Sequence, residues 1–174
     1  MWNPCEGGKW DLCDDGEPKF RSLKSHLAQI HKVSKEDIAY IAGFFDGEGS
    51  VSILRRGDTG RYDMHISVGQ TTDEVIYWIE KKLGGRVSFS SREKQKRKDG
   101  SSCRPMWTWY ACGSHAVDIL QMLHPYLRVK QDQAGLAITF QDKMKHRRRM
   151  SKEEAEKTGR YYAEGIQEAR EIGC

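Results

Sequence analysis

The sequence predicts an α+β fold in which helices and β-hairpins follow one another along the chain. Four segments between residues 50 and 112 alternate apolar and polar side chains with period 2, as strands with one buried face do. Helical apolar patterns precede the first pair of segments, separate it from the second pair and follow the second pair. The predicted order is therefore α-β-β-α-β-β-α-α, with the strands paired as a four-stranded antiparallel sheet.

The first helix is predicted to begin after Ser34, which can cap it, while Asp37 can return a hydrogen bond to the Ser34 amide. A stripe of small residues, Ala39, Gly43 and Gly47, recurs every four positions along the helix. Such a stripe lets another helix approach closely, either inside one domain or between two copies. The remaining surface is apolar and suits a core: Ile38, Ile41, Ala42, Phe44 and Phe45.

Two hairpins, each with one apolar and one polar face, are predicted next. The turn in "RRGDTGRY" joins the first pair of strands, and a basic loop leads into "MWTWYAC" in the second. Between them "TTDEVIYWIEKKLGG" predicts a helix with a threonine cap and a glycine stop. The apolar faces are Val51, Ile53, Tyr62, Met64, Ile66, Val68, Val87 and Phe89. The polar faces are Ser52, Arg56, Arg61, Asp63, His65, Ser67, Arg86, Ser88, Ser90 and Arg92, with Leu54 out of pattern.

The C-terminal part of the chain is predicted to be helical. Ser114 is expected to cap one helix, and "KQDQAGLAITFQDKMK" to form another. The tail after residue 142 carries a capping box at Ser151 and Glu154, then a predicted interruption at Gly159. A mostly polar helix follows, and we expect the tail to pack on the domain. Its apolar positions are Tyr161, Tyr162, Ile166 and Ala169.

The charge of the chain favours a polyanionic partner. The net charge is +4, and the excess is gathered in residues 90–104 and 143–152. Such clusters suit nucleic acid, although basic runs are also common on solvated surfaces. The arginines of the second cluster that we expect near nucleic acid are Arg147, Arg148 and Arg149. The sequence has neither a membrane-spanning apolar stretch nor a signal-peptide pattern, so we expect an intracellular protein, cytoplasmic or associated with an organelle or nucleoid.

Two cysteines and two histidines near the N-terminus have the spacing of zinc ligands. Cys5, Cys13, His26 and His31 follow one another as C-x7-C-x12-H-x4-H. The second half has the form of a Cys2His2 zinc-finger helix, and Zn²⁺ would supply the folding free energy that so small a core lacks. The long spacing between the cysteines leaves an alternative, an ordinary helix with two unrelated cysteines. The other cysteines are expected to be buried or free thiols: Cys103, Cys112 and Cys174.

The stretch "IAGFFDGEG", Ile41 to Gly49, resembles the nine-residue motif of the LAGLIDADG homing endonucleases. The resemblance covers about residues 34–141, and the predicted element order agrees with the αββαββα unit of that family, whose sheet forms a saddle on DNA. The resemblance and the residues on either side of it divide the chain into three predicted segments: a zinc-finger-like module at 1–33, an endonuclease domain at 34–141 and a basic helical extension at 142–174.

The resemblance implies a catalytic site at the acidic end of the motif. Glu48 and the backbone carbonyl of Gly47 would bind Mg²⁺, for which Ca²⁺ or Mn²⁺ could substitute in binding. Asp46 would be chiefly structural, at the helix end and the dimer contact. Gln70 would orient the attacking water, and Lys130 would polarise it or stabilise the phosphate. A surface amide and a phosphate-contacting lysine are the alternatives for those two residues.

A single copy of the motif implies a homodimer that binds double-stranded DNA. The two copies would pack through Ala39, Gly43 and Gly47, and their polar strand faces would read a near-palindromic site in the major groove. Arg56 and Arg61 lie near a turn and could contact phosphate instead of bases. The candidate readers are Ser52, Arg56, Arg61, Asp63, His65, Ser67, Arg86, Ser88, Ser90 and Arg92, with Trp107 and Trp109 favoured for the groove over core packing.

Two other classes of function stay open. A non-cleaving DNA- or RNA-binding protein on the same fold, a transcription regulator or a maturase, would be expected to have lost catalytic groups, whereas Glu48, Gln70 and Lys130 are all present. A zinc-dependent protein-interaction module would leave the basic polar strand faces unexplained. The zinc module itself could serve as a scaffold or contact DNA, in the second case through Lys19, Arg21, Lys24 and Lys32.

Overall fold

The computed structural model describes residues 33–57, 61–92, 100–145 and 149–172. The elements in these ranges follow the predicted order. They are α1 (Lys35–Glu48), β1 (Gly49–Arg56), β2 (Arg61–Gln70), α2 (Glu74–Leu83), β3 (Arg86–Ser90), β4 (Met106–Cys112), α3 (Gly113–Leu123), a 3-10 turn (His124–Tyr126), α4 (Gln131–Lys145) and α5 (Lys152–Ile172). The predicted zinc ligands Cys5, Cys13, His26 and His31 lie outside the described residues, as do Arg147, Arg148 and Cys174.

The strands form one antiparallel sheet in the order β1-β2-β4-β3. The register pairs Gly49 with Val68 at the start of β1 and Ile66 with Ala111 at the sheet centre. β1 and β3 are therefore the edge strands, and each hairpin keeps its own two strands adjacent. The predicted α+β class and the four-stranded antiparallel sheet are confirmed.

The alternating apolar residues of the strands face the helices, which confirms the predicted apolar faces of β1 and β2. Their side chains join those of α1, α3 and α4 in one core. The residues at alternate positions are half-buried or exposed, so the other face of the sheet is polar. The strand residues of the core are Val51, Ile53, Tyr62, Met64, Ile66, Val68, Trp109 and Ala111.

The predicted caps are realised only in part. Ser34 accepts a hydrogen bond from the Asp37 amide at 3.2 Å, as expected. The Asp37 carboxylate, however, pairs with Lys82 of α2 at 2.6 Å, and this hydrogen bond lowers the pKa of Asp37. The predicted caps of α2 and α3 are wrong, because α2 has Asp73 at its N-cap and α3 begins one residue before Ser114, neither with a side-chain cap bond. A tertiary ion pair thus engages the Asp37 carboxylate, and α3 begins directly where β4 ends.

The tail forms one continuous helix, so the predicted interruption at Gly159 is wrong. The capping box is present: the Ser151 amide donates to Glu154 at 2.8 Å, and the Glu154 amide donates to Ser151 Oγ at 3.1 Å. Gly159 lies directly against the ring of Tyr62, and a methyl group added there would overlap that ring. A helical glycine costs about 1 kcal/mol relative to alanine, but here it lets α5 contact β2. Ile166 completes the packing, because its side chain is buried.

None of the described helices combines the length and the apolar character needed to cross a bilayer.

Candidate functional site

The polar face of the sheet forms a continuous surface of side chains in register. One row across the strands is Ser52, His65 and Cys112, and the next includes Ser67, Tyr110 and Arg86. Hydroxyl, imidazole, carboxylate and guanidinium groups thus lie side by side on one face. The predicted positions on it are Ser52, Arg56, Arg61, Asp63, His65, Ser67, Arg86, Ser88 and Ser90, whereas Arg92 follows the end of β3.

Three residues of β4 on this face were not predicted from the sequence. Thr108, Tyr110 and Cys112 alternate with the core residues of the strand and pair with polar positions of β2 and β3. The Tyr110 ring stacks on His65 with ring centroids 5.7 Å apart. Burial lowers the pKa of His65, so its ring is neutral near pH 7 and offers one nitrogen as a donor and one as an acceptor. The period-2 pattern would have identified all three, had the tryptophans been assigned to the core.

The weak preference for a groove position of Trp107 and Trp109 is wrong. Trp109 is 1% exposed, and its indole N–H donates to the Gly84 carbonyl at 2.7 Å. Trp107 is packed against the same core, with its ring centroid 4.6 Å from that of Phe89. Both rings therefore lie on the helix-covered face. A buried indole whose N–H group has a hydrogen-bond partner stabilises the folded protein more than an indole on the solvated face would.

Replacing Trp109 by alanine is expected to lower the free energy of unfolding by about 3–5 kcal/mol. The change opens a cavity beneath α2 and leaves the Gly84 carbonyl without its donor. Chemical denaturation followed by circular dichroism would measure the loss. Trp107→Ala removes the same side chain from a half-buried position and should cost clearly less. Equal losses for the two variants would contradict the deeper burial of Trp109.

The acidic end of α1 leads without a loop into β1. The amide of Gly49 donates to the Phe45 carbonyl and closes the helix, and any side chain at position 49 would overlap Phe45. Glu48 is the last helical residue, and its side chain is exposed. Within the described residues, Glu48 has no hydrogen bond or ion pair. Its carboxylate is therefore available to a ligand at this end of the sheet.

Asp46 binds the segment that carries Lys130. Its two carboxylate oxygens accept from the backbone amides of Arg128 and Lys130 at 2.7 and 2.9 Å. The Lys130 ammonium in turn donates to the Asp46 backbone carbonyl, at the negative end of the α1 dipole. These three bonds hold the start of α4 against the end of α1. They give Asp46 a structural role and fix where Lys130 lies.

Glu48, Gln70 and Lys130 belong to segments that meet at one end of the β1–β2 pair, a region that we term the catalytic corner after the role that the resemblance implies. Gly49 pairs with Val68, so the end of α1 and the end of β2 meet there. Gln70 closes β2, and its side-chain oxygen accepts from the Thr71 amide at 2.8 Å. Lys130 reaches the same place through Asp46. Three separate elements thus bring a carboxylate, an amide and an ammonium to the same end of the β1–β2 pair.

Comparison with known proteins identifies the fold. No protein-family model matches the sequence, and a search of curated proteins finds no match. Among solved structures, the chain is similar to the homing endonuclease I-CvuI in complex with its target in the presence of 2 mM Ca, with 25% identity over 79% of this chain and 94% of that chain and a TM-score of 0.52. The chain has the homing-endonuclease fold.

Two further structures share this fold at lower sequence identity. The archaeal intron-encoded homing endonuclease I-Vdi141I, complexed with DNA, is 19% identical over 79% of this chain and 94% of that chain, with a TM-score of 0.54. The homing endonuclease I-TnaI is 18% identical over 79% of this chain and 97% of that chain, with a TM-score of 0.52. Each of these chains is covered almost completely, so the similarity extends across the whole homing-endonuclease unit.

Within this fold, the small-residue stripe of α1 lies open. Ala39, Gly43 and Gly47 are exposed, and a Cβ added at either glycine would meet no described atom within 4 Å. Tyr40 borders the stripe and is 57% exposed. The alternative of a close helix contact inside the domain is therefore not realised among the described residues. The helix that carries the exposed Glu48 therefore presents a flat surface of small residues that another molecule can contact.

The donor groups at the catalytic corner fit one kind of metal site. The described residues contain no cluster of three or more histidine, cysteine, aspartate or glutamate side chains that could hold a metal ion. The Asp46 carboxylate already accepts hydrogen bonds from two backbone amides. Glu48 is therefore the carboxylate at this corner that remains available to a metal ion. Mg²⁺ is commonly bound by one or two carboxylates together with substrate phosphates. The corner therefore fits Mg²⁺ shared with a phosphate, and not a closed protein site.

Proposed function

We propose that the protein is a site-specific endonuclease that binds double-stranded DNA as a homodimer and hydrolyses both strands with a divalent metal. The observation that carries the proposal is the exposed Glu48 carboxylate at the end of α1, unpaired among the described residues, with Gln70 at the end of the neighbouring β2 and Lys130 bound to Asp46. The similarity to homing endonucleases whose structures contain DNA supports the same substrate.

The polar face is proposed to read DNA bases in the major groove. Its hydroxyl, imidazole and guanidinium groups supply both donors and acceptors, which is what discrimination between base pairs requires. Arg56 is held by an ion pair to Asp63 near the hairpin turn, a position suited to phosphate contact. Tyr110 and Thr108 join the reading surface at its centre, because β4 is an inner strand of the sheet.

The catalytic corner supplies the groups that phosphodiester hydrolysis needs. Glu48 and the Gly47 carbonyl would hold Mg²⁺, which when bound acts as a Lewis acid on phosphate oxygens and lowers the pKa of water. The side-chain amide of Gln70 would orient the attacking water. The Lys130 ammonium would stabilise the negative charge that develops on the phosphate. Asp46 would act through Lys130, whose backbone amide it fixes.

A homodimer follows from the single motif and the open stripe on α1. Two copies packed through Ala39, Gly43 and Gly47 would bring two Glu48 carboxylates and two polar faces to one DNA duplex. A two-fold dimer reads the same sequence on both half-sites, so the target would be nearly palindromic. The N-terminal residues Cys5, Cys13, His26 and His31 would bind a structural Zn²⁺.

The test of this proposal is a binding-site selection from randomised duplex DNA in Ca²⁺, which separates binding from cleavage. We expect enrichment of one near-palindromic sequence. Tyr110→Ala should weaken binding to that sequence by about 10-fold and relax the preference at matched positions of both half-sites. Tyr77→Ala, on the outer side of α2, is the matched control and should bind like the wild type.

Enrichment of single-stranded or structured RNA instead of duplex DNA would move the assignment to a maturase-like protein. Loss of binding with Tyr77→Ala but not with Tyr110→Ala would place the nucleic acid on the helix-covered side of the sheet and not on the polar face. Either result would contradict the proposed interface.

A further inference from the structure

The C-terminal helix runs along the edge strand β1 and is tied to it at both ends. Near its N-terminus, Glu156 pairs with Arg55 at 3.2 Å, and Gly159 lies on Tyr62 of the neighbouring strand. Near its C-terminus, Arg170 reaches Ser50. Because β1 runs from residue 49 to residue 56, these contacts set α5 antiparallel to β1. The helix thus covers an edge that would otherwise be open.

The contact at Arg170 lies beside the catalytic corner. The same guanidinium nitrogen, Nη2, donates to Ser50 Oγ at 3.0 Å and to the backbone carbonyl of Val51. Ser50 is two residues from Glu48, and Val51 is three. Hydrogen bonds from a charged guanidinium are stronger than those between neutral groups. The start of β1, and with it the backbone that follows Glu48, is therefore held from outside the sheet.

We infer that α5 is a brace that sets the position of Glu48, and that Arg170 is the positioning residue at its end. The inference rests on the proposed endonuclease function. Among the described residues, no side chain forms a hydrogen bond or ion pair with the Glu48 carboxylate, so we take its position to depend on the backbone on either side of it. Asp46 fixes the helical side through the Arg128 and Lys130 amides. Arg170 fixes the strand side through Val51.

A small displacement of Glu48 would have a large effect on the rate. Misplacement of a reacting group by about 1 Å can cost roughly 100-fold in catalysis. Loss of the Arg170 bonds should therefore slow cleavage more than it weakens DNA binding, because the polar face lies mostly on strands that Arg170 does not touch. A rival explanation is that Arg170 contacts a DNA phosphate directly. That role would appear in affinity and in its salt dependence instead.

The test compares Arg170→Leu and Arg170→Lys with Arg160→Leu in the full-length protein. Arg160 lies on the same helix, and its ion pair with Glu156 at 3.9 Å stays within that helix, so this control removes the same charge without touching Ser50 or Val51. Three quantities are measured on the selected DNA site: the single-turnover cleavage rate in Mg²⁺, the affinity in Ca²⁺ at several salt concentrations, and the amide hydrogen exchange of residues 49–52.

We expect Arg170→Leu to slow cleavage by about 10- to 100-fold, with an affinity within about 2-fold of the wild type and an unchanged salt dependence. Amide exchange at residues 49–52 should be faster than in the wild type. Arg170→Lys should recover part of the rate, because its ammonium keeps the charge and can replace Nη2 as the donor, but the side chain is shorter and more flexible. Arg160→Leu should match the wild type in all three measurements.

Unchanged cleavage and unchanged exchange in Arg170→Leu would overturn the inference. A loss of affinity with a shallower salt dependence would assign Arg170 to phosphate contact and would also overturn it. If Arg170→Leu fails to fold, Arg170→Gln is measured in its place, and wild-type rate and exchange in that variant would overturn the inference in the same way. A wild type that cuts no DNA refutes the endonuclease, whereas the exchange comparison still shows whether Arg170 orders the start of β1.

Discussion

Replacing Gly43 by leucine is expected to abolish dimer formation and, with it, specific DNA binding. The position lies in the middle of the open stripe on α1, where an added Cβ meets no atom of the described residues within 4 Å. A leucine there would hold two copies of α1 apart at their closest approach. A monomer contacts one half-site only, so the affinity for the full site should fall by on the order of 10³-fold or more.

Sedimentation velocity measures the oligomeric state, and binding to the selected duplex measures the affinity. The monomer should not be destabilised, because replacing a helical glycine gains up to roughly 1 kcal/mol. Glu153→Leu, an exposed position at the start of α5, adds the same apolar side chain elsewhere and should leave the dimer intact. A Gly43→Leu protein that is still dimeric and binds its site with wild-type affinity would exclude α1 as the interface.

Replacing Glu48 by glutamine is expected to lower the rate of strand cleavage by on the order of 10³-fold or more. The amide keeps the size of the side chain but removes the negative charge that a divalent metal requires. Binding in Ca²⁺ should change little, since Glu48 lies at the end of α1 and not on the polar strand face. The loss should therefore appear in the cleavage step and not in affinity.

Single-turnover cleavage of the selected duplex in Mg²⁺, with binding measured in parallel, separates the two steps. Glu168→Gln removes one carboxylate from an exposed position on α5 and serves as the matched control. A Glu48→Gln protein that cleaves at a rate within about 10-fold of the wild type would leave the catalytic corner without its proposed metal ligand.

The sequence was sufficient for the order of elements and for the two faces of β1 and β2, because period-2 alternation there reports directly on burial. It was misleading in β4, where aromatic residues occur on both faces and Trp107 and Trp109 were favoured for the groove. The same pattern, with Ala111 completing the apolar set, places Tyr110 on the open face. That prediction followed the aromatic identity of the two tryptophans instead of the period-2 pattern of the strand, and it was wrong.

Other features depend on partners that are distant in sequence. Gly159 looked like a helix breaker because its partner, Tyr62, lies on another element of the fold. Asp37 was expected to bond locally, but Lys82 of α2 is its partner. Arg170 meets Ser50 across 120 residues, and no local pattern indicates such a contact. The motif itself located Glu48 correctly at the end of α1, since its glycines and acidic residues are contiguous in sequence.

The most direct test of the account is to add Mg²⁺ to the wild-type protein on its selected duplex and to sequence the cut ends of both strands. A homodimeric endonuclease should make one double-strand break placed symmetrically about the centre of the near-palindrome, because two copies of the catalytic corner act on one site. DNA that stays intact while the protein remains specifically bound would contradict the endonuclease function and leave a DNA-binding protein on this fold.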